Sequence, residues 1–192
     1  MPASAPKPRS PGKKLAVGTA AFLALSVAGF FAIGPKRVWH YAAGPADQGA
    51  IDFARLTRRS APNDSLACSS GLCSQPVDVE LPTYAGTPAA LMAKLDAVVA
   101  AMGDAERVDD GRDPAYRRFV FYSRILEFPD TLDARAVETA GGTGLQLYSR
   151  SLLGRGDFGA NRARLERIAR RLETAGTVAA AGRRKSLSGS TG

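Results

Sequence analysis

The chain has 192 residues, 45% of them hydrophobic, with 26 lysines and arginines against 18 acids and a single histidine, a formal charge of +8. The excess belongs to the two ends: Lys7, Arg9, Lys13 and Lys14 in residues 1–14, and Arg183, Arg184 and Lys185 beyond the last acid, Glu173. A basic charge confined to tails argues against a nucleic-acid partner, and the lone histidine, His40, lies too early in the chain to serve nucleophilic catalysis in a later domain.

The first element is an uncharged apolar run, Leu15–Ile33, of 19 residues. A helix of that length rises about 28 Å, close to the hydrocarbon thickness of a bilayer. Four positive charges precede it and two, Lys36 and Arg37, follow closely. The bias puts the short tail, 1–14, in the cytoplasm and the remaining chain across the membrane, with the run as a single-pass anchor in lipid. The rival reading is a signal peptide cleaved near Ala28, since Ser26-Val27-Ala28 offers small residues at both required positions. Cleavage there exposes Gly29-Phe30-Phe31-Ala32-Ile33 as a mature N-terminus, which favours retention. Either reading makes the globular part extracytoplasmic.

Residues 34–76 are rich in Gly, Pro, Ser and charge and read as a juxtamembrane linker carrying Trp39, His40 and Tyr41 as interfacial anchors. Within them Ile51-Asp52-Phe53-Ala54-Arg55-Leu56 alternates weakly, as a short edge strand or an arm laid over the domain. Cys68 and Cys73 are the only cysteines. In an oxidising compartment they pair most simply as a disulfide, worth about 2 kcal/mol in the chain-entropy model. A zinc site wants four ligands, and a redox pair usually has two intervening residues. Neither a metal nor a cofactor is expected.

Residues 77–174 form the compact domain, and 175–192 lack periodicity and are expected to be disordered. Thr87 caps a helix with Pro88 at its first position, Leu91, Leu95, Val98 and Met102 make its apolar stripe, and Gly103 ends it. Strands are expected at 77–81, 106–109, 116–128, 132–139 and 144–151. Asp157 caps a last helix whose stripe is Phe158, Leu165, Ile168, Ala169 and Leu172, with Arg164, Arg167, Arg170 and Arg171 on a solvated face. The order β-α-β-β-β-β-α predicts an α+β domain, an antiparallel sheet with helices on one face.

A turn at Gly141-Gly142 sets Leu145 opposite Glu138 and Leu147 opposite Ala136, on a face that also takes Ala134 and Ser149 and meets the helices. The opposite face pairs Arg135 with Tyr148 and Asp133 with Arg150, and a turn at Asp130-Thr131 adds Tyr122, Arg124 and Phe128. This arginine–tyrosine patch reads either as a ladder of ion pairs or as an anion site. Three glycines, Gly154, Gly156 and Gly159, lead into the last helix, where free amides favour an anion. Asn161 falls near the middle of the apolar stripe, so its buried amide must find partners. It either ties the glycine loop to the sheet or shapes a pocket with Arg150, Arg155 and Arg162.

At these motifs the chain resembles the bacterial and plastid family called domain of unknown function 1499. The matching residues are Pro62-Asn63-Asp64 followed by Cys68 and Cys73, then Leu126-Glu127-Phe128-Pro129-Asp130, and finally Ser149-Arg150 with Asp157-Phe158-Gly159-Ala160-Asn161-Arg162. The resemblance covers about 51–173, with Ser69-Ser70-Gly71-Leu72 between the cysteines as a departure from many relatives. It implies a fold and an envelope setting; joined to the anchor reading, it makes a bacterial inner-membrane protein with its domain in the periplasm the expectation.

Three functions are compatible with these features. The first is a non-catalytic envelope module that binds a protein partner or stabilises an assembly. The second binds an anionic small molecule or lipid head group through Arg124, Arg135, Tyr148, Arg150, Arg155, Asn161 and Arg162. The third is a hydrolase-type enzyme using Glu127, Asp130 and Asp133. No catalytic signature singles out the third, and the first is preferred.

Overall fold

A computed structural model of the chain describes the backbone of residues 12–187 and the side chains of 15–176. Residues 1–11 of the expected basic tail and 188–192 of the expected disordered tail lie outside it. Helix α1 (Gly12–Ile33) contains the apolar stretch Leu15–Ile33, with a mean hydropathy of 2.1 and none of it buried against the protein. It is long and apolar enough to cross a membrane. Gly34, at φ +94°, breaks the helix, and Pro35 starts α2 (Pro35–Ala43) as its first residue.

After α2 the chain runs extended through a 3-10 turn (Phe53–Arg55) into six strands and two further helices. The strands are β1 (Asp64–Ser69), β2 (Val79–Leu81), β3 (Ala105–Arg107), β4 (Tyr116–Tyr122), β5 (Pro129–Thr139) and β6 (Gly142–Ser151). They make one sheet in the order β2-β1-β6-β5-β4-β3, antiparallel throughout except for the β1–β2 pair. Helices α3 (Pro88–Ala100) and α4 (Ala160–Leu187) lie on one face, as an α+β fold requires.

The two domain helices start and pack through the local chemistry expected of their sequences. Thr87 Oγ1 accepts the amide of Ala90 at 3.3 Å, and Leu91, Met92, Leu95, Val98 and Val99 are buried. Asp157 caps α4 by accepting the amides of Gly159 and Asn161 at 2.9 and 3.0 Å. Leu165, Ile168, Ala169 and Leu172 meet Leu132, Ala134, Ala136, Leu145 and Leu147 in the main core. Phe158 departs from the expected stripe. At φ +52° it precedes the first turn of α4 and stands fully in solvent. Arg164 departs from the solvated face, reaching Asp130 at 2.6 Å while lying over the Phe121 ring. Helix α4 also runs past Glu173 into the segment expected to be disordered, where Val178-Ala179-Ala180-Ala181 favours helix.

Two turns differ from the sequence reading. Thr139 pairs with Gly142, so the β5–β6 turn is Ala140-Gly141. Gly142 is held in the strand because Tyr84 bridges to Thr143; a Cβ at Gly142 would stand 2.6 Å from the Tyr84 carbonyl oxygen. The resulting register shift is two residues, which changes partners but preserves which side chains share a face. The β4–β5 hairpin turns over residues 123–128, not at Asp130-Thr131, because Tyr122 pairs with Pro129. Pro129 needs no amide as the first residue of its strand. The loop is closed by Ser123, whose hydroxyl accepts the Phe128 amide at 3.0 Å.

Strand β1 falls inside the segment read as a linker. Its small residues Ser65, Ala67 and Ser69 alternate with Asp64, Leu66 and Cys68, a pattern without a large apolar face, yet β1 is almost wholly buried between β2 and β6. The Cys68–Cys73 disulfide closes the loop after it, with a Cα–Cα separation of 6.2 Å. Residues 51–56 form an arm rather than a strand. Phe53 is buried with Leu66, Cys68 and Tyr148 in a second apolar cluster, on the sheet face away from the helices.

Candidate functional site

The sheet face under the arm presents three rows of side chains. Tyr116, Arg135, Gln146 and Cys68 lie across one row; Arg118, Asp133, Tyr148 and Leu66 across the next; Val120, Thr131, Arg150 and Asp64 across the third. Alternation along each strand puts them on the same side. Asp133 is completely buried and Arg150 only 5% exposed, so their charges must be met within the protein.

They are met. Arg150 reaches diagonally to Asp133 at 3.0 Å, and the Tyr116 hydroxyl donates to the other Asp133 oxygen. Burial pushes the Asp133 carboxyl above the usual carboxylate range, although Tyr116, Arg150 and Arg118 all favour its charged form. The second guanidinium nitrogen of Arg150 donates to the Gly49 carbonyl at 2.7 Å. Arg118 forks onto Asp47 at 2.7 and 2.9 Å. Burial opposes the Asp47 charge, but Arg118 and the Gly49 amide bring its carboxyl below the ordinary value. The Gln48 side chain donates to Thr131 at 3.2 Å and to the Arg150 carbonyl at 3.1 Å, and accepts from Arg59 at 2.5 Å. The segment 46–51 is therefore stitched onto the patch by its own backbone and side chains.

At the far edge Tyr148 donates to Asp64 at 2.6 Å, and Arg58 binds Asp64 and Asp78, each at 2.9 Å. Burial pushes the phenols of Tyr116 and Tyr148 up, and the carboxylates that accept from them push the same way. Burial opposes the Asp64 charge, yet Arg58 and Tyr148 draw its carboxyl down.

The residues singled out from the sequence do not converge. Tyr148 and Arg150 sit at the centre of the patch. Arg135 lies at its margin, paired with Asp113 at 3.1 Å and facing the Tyr116 ring. Arg124 is on the exposed β4–β5 hairpin. Asn161 is on the opposite face of the sheet, completely buried. It accepts from Ser149 and Arg164, both at 2.6 Å, and donates to Ser151 and to the Asn63 carbonyl. Asn63 in turn donates to the Gly154 carbonyl at 2.7 Å, so the asparagine pair fastens the glycine loop to the sheet. Arg155 is exposed on that loop, and Arg162 is exposed on α4 with Glu166 at 3.1 Å.

Arg118, Asp47, Gln48 and Arg59 are not among the candidates read from the sequence, and Asp64 stands there only within the Pro62-Asn63-Asp64 motif. Arg118 was available once the hairpin turned at 123–128, since the same alternation that faces Tyr116 inward faces Arg118 too. The arm residues carry no periodic signal of their own.

A surface groove of about 580 Å³ lies between the residues entering β1 and the start of α4. Arg58, Arg59 and Arg162 line it with Asp64, Asp78 and Asp157, and Phe158 stands at its edge. Its charges balance, and each of those carboxylates already holds a hydrogen bond or an ion pair. Among the described residues, no group of three or more His, Cys, Asp or Glu side chains is placed to hold a metal.

A comparison with curated proteins found no match. The model of the family described as protein of unknown function (DUF1499) matches residues 59–172, from the arginine that clasps Gln48 to the last leucine of the α4 stripe, and the chain belongs to that family.

Proposed function

We propose that the protein is a membrane-anchored, non-catalytic module that presents its domain outside the cytoplasm to an envelope protein partner. One observation carries this reading. The arginines of the patch are engaged internally, Arg118 by Asp47, Arg150 by Asp133 and the Gly49 carbonyl, and Arg135 by Asp113, so the hollow of about 390 Å³ where Arg150 meets Arg55 and Arg59 presents guanidinium groups that already hold Asp52, Gln48 or the patch itself rather than groups free for a small anion. In this reading Leu15–Ile33 spans the bacterial inner membrane as a retained anchor, the N-terminus is cytoplasmic and the domain is periplasmic. The disulfide is compatible with an oxidising compartment. A secreted form, cleaved near Ala28, is the alternative.

The groove beside Phe158 is the surface assigned to the partner. An aromatic ring held in solvent at positive φ costs backbone strain without any packing gain in the isolated chain. Buried aromatic anchors of this kind dominate protein interfaces.

The test places a photo-crosslinking residue at Arg155 in the native envelope and identifies the adducts by mass spectrometry. A discrete protein adduct that disappears in Phe158→Ala, with unchanged melting temperature, is the expected result. Co-isolation of a small anion with no protein adduct would replace this reading by the ligand-binding one. Protease added to intact spheroplasts is expected to digest the domain.

A further inference from the structure

Among the described residues, the large apolar side chains that remain exposed are distributed unevenly. Apart from those on α1, they are Tyr41 on α2, Ile125, Leu126 and Phe128 on the β4–β5 hairpin, and Phe158 on the loop between β6 and α4. Ile125 is 73% exposed. Four of these five therefore sit on the two elements nearest the end of the apolar helix.

Those two elements are joined to each other and to α1. Trp39 stacks on Phe128 with ring centroids 4.7 Å apart, and its indole N–H donates to the Leu126 carbonyl at 2.5 Å. The other side of Trp39 meets Phe30 of α1 at 5.4 Å. Nine residues along one straight helix span about 13.5 Å. A Phe30–Trp39 contact thus requires the chain to bend at Gly34-Pro35, so that α2 folds across the end of α1 instead of prolonging it. Lys36 fixes the bend from the domain side, bonding Glu106 at 2.5 Å and lying 3.7 Å from the centre of the Tyr122 ring. Lys36, Arg37 and Arg124 flank these elements, with Glu106 and Glu127 among them.

We infer that the β4–β5 hairpin tip and α2 form a second membrane contact, with Ile125, Leu126, Phe128 and Tyr41 dipping into the interface of the bilayer that α1 crosses. The inference rests on the proposed anchoring of α1. The occupant is lipid because the patch is continuous with the helix end and carries what an interfacial surface carries: aromatic rings, aliphatic tips and flanking lysine and arginine. Such surfaces sink about 5–10 Å into the headgroup and acyl boundary. The consequence is orientation. The domain is held against the membrane at the end of the sheet where β4 passes into β5.

The experiment uses the full chain in phosphatidylcholine–phosphatidylglycerol vesicles, with nitroxide labels on Ile125→Cys, on Val27→Cys within α1, and on Arg112→Cys in the exposed β3–β4 loop. Relaxation by oxygen and by a water-soluble nickel chelate reports depth. Labels 125 and 27 are expected to favour oxygen, and label 112 the chelate. Label 125 matching label 112 while label 27 favours oxygen would overturn the inference and leave the anchor intact. All three labels favouring the chelate would overturn the anchor, and the inference with it. A label at 125 that is water-exposed in vesicles but immobilised and shielded in native membranes would assign the hairpin to a protein partner instead, against the inference. A gel-shift assay for disulfide integrity keeps the new thiols separate from Cys68 and Cys73.

Discussion

The two faces of the sheet are held by different chemistry. Toward α3 and α4 the middle of the sheet is dry, Leu132, Ala134, Leu145 and Leu147 meeting leucine, valine and isoleucine, with the polar contacts Arg164–Asp130 and Asn161–Ser149 kept to the start of α4 and Arg117–Asp96 to α3. Toward the arm it is ionic, with Asp133, Arg150, Arg118 and Tyr116 closed over by residues 46–51. The helix face belongs wholly to the domain. The arm face is completed by chain that begins only three residues after α2, so the tether and the fold share one network. A domain cut away from residues 46–51 would lose Asp47 from Arg118 and the Gly49 carbonyl from Arg150, which makes the juxtamembrane segment a structural part rather than a spacer.

The largest expected effect comes from breaking the ionic face on one side only. Arg150→Met leaves the fully buried Asp133 carboxylate with Tyr116, the Ile51 amide and the more distant Arg118 but without its ion-pair partner, and should cost about 3–5 kcal/mol in denaturant unfolding. The double variant Arg150→Met with Asp133→Leu should recover most of that loss, because the expense is the unpaired buried charge rather than the missing pair. A double variant as unstable as the single one would show that the arm carbonyl, not the carboxylate, is what Arg150 chiefly serves.

On the dry face Leu147→Ala removes a completely buried side chain facing α4 and should cost about 2–5 kcal/mol through lost transfer energy and a residual cavity. No compensating partner substitution should rescue it short of refilling the volume. That contrast, rescue by removing a second group on one face and only by adding volume on the other, separates the two kinds of cohesion.

The same contrast explains what the sequence makes legible. Period-3.6 stripes, the Thr87 and Asp157 caps and the alternating leucines of β6 each follow from burial against an apolar partner, so they can be read without knowing the fold. The β5–β6 faces survive the misplaced turn because a two-residue slip conserves facing. Strand β1 and the arm are invisible by the same logic: Ser65, Ala67 and Ser69 are small, and Asp47, Gln48 and Gly49 meet the patch through Arg118, Thr131 and Arg150, residues 70 or more positions away. The patch was legible as a cluster of arginine and tyrosine on one sheet face. Its closure was not, since nothing local ties Asp47 to Arg118. Asn161 is the intermediate case, a polar residue whose place in an apolar stripe already demands partners.

Asn161→Ala tests that demand. It leaves the Asn63 carbonyl and the Ser149 and Ser151 hydroxyls without their shared amide, at a cost of about 1–3 kcal/mol, or several degrees of melting temperature. An unchanged melting temperature would mean that Arg164 and solvent take over the asparagine's bonds.

The smallest expected effect is with pH, and its sign differs across the ionic face. Asp47 and Asp64 have carboxyls held below the ordinary value, so their pairing stabilises the fold above the unfolded-state pKa of about 3.9 and is lost as pH falls through their folded values. Asp133 is shifted the other way by burial, so it favours folding below that unfolded value and progressively less as pH rises through its own raised one. Between pH 5 and pH 3 the two contributions oppose each other, leaving a shallow fall in melting temperature. Asp47→Asn removes one term of the first kind and should make that fall shallower still, while Asp133→Asn removes the offset and should make it steeper. The two slopes moving in the same direction would contradict the assignment of opposite roles to two carboxylates that flank the same pair of arginines.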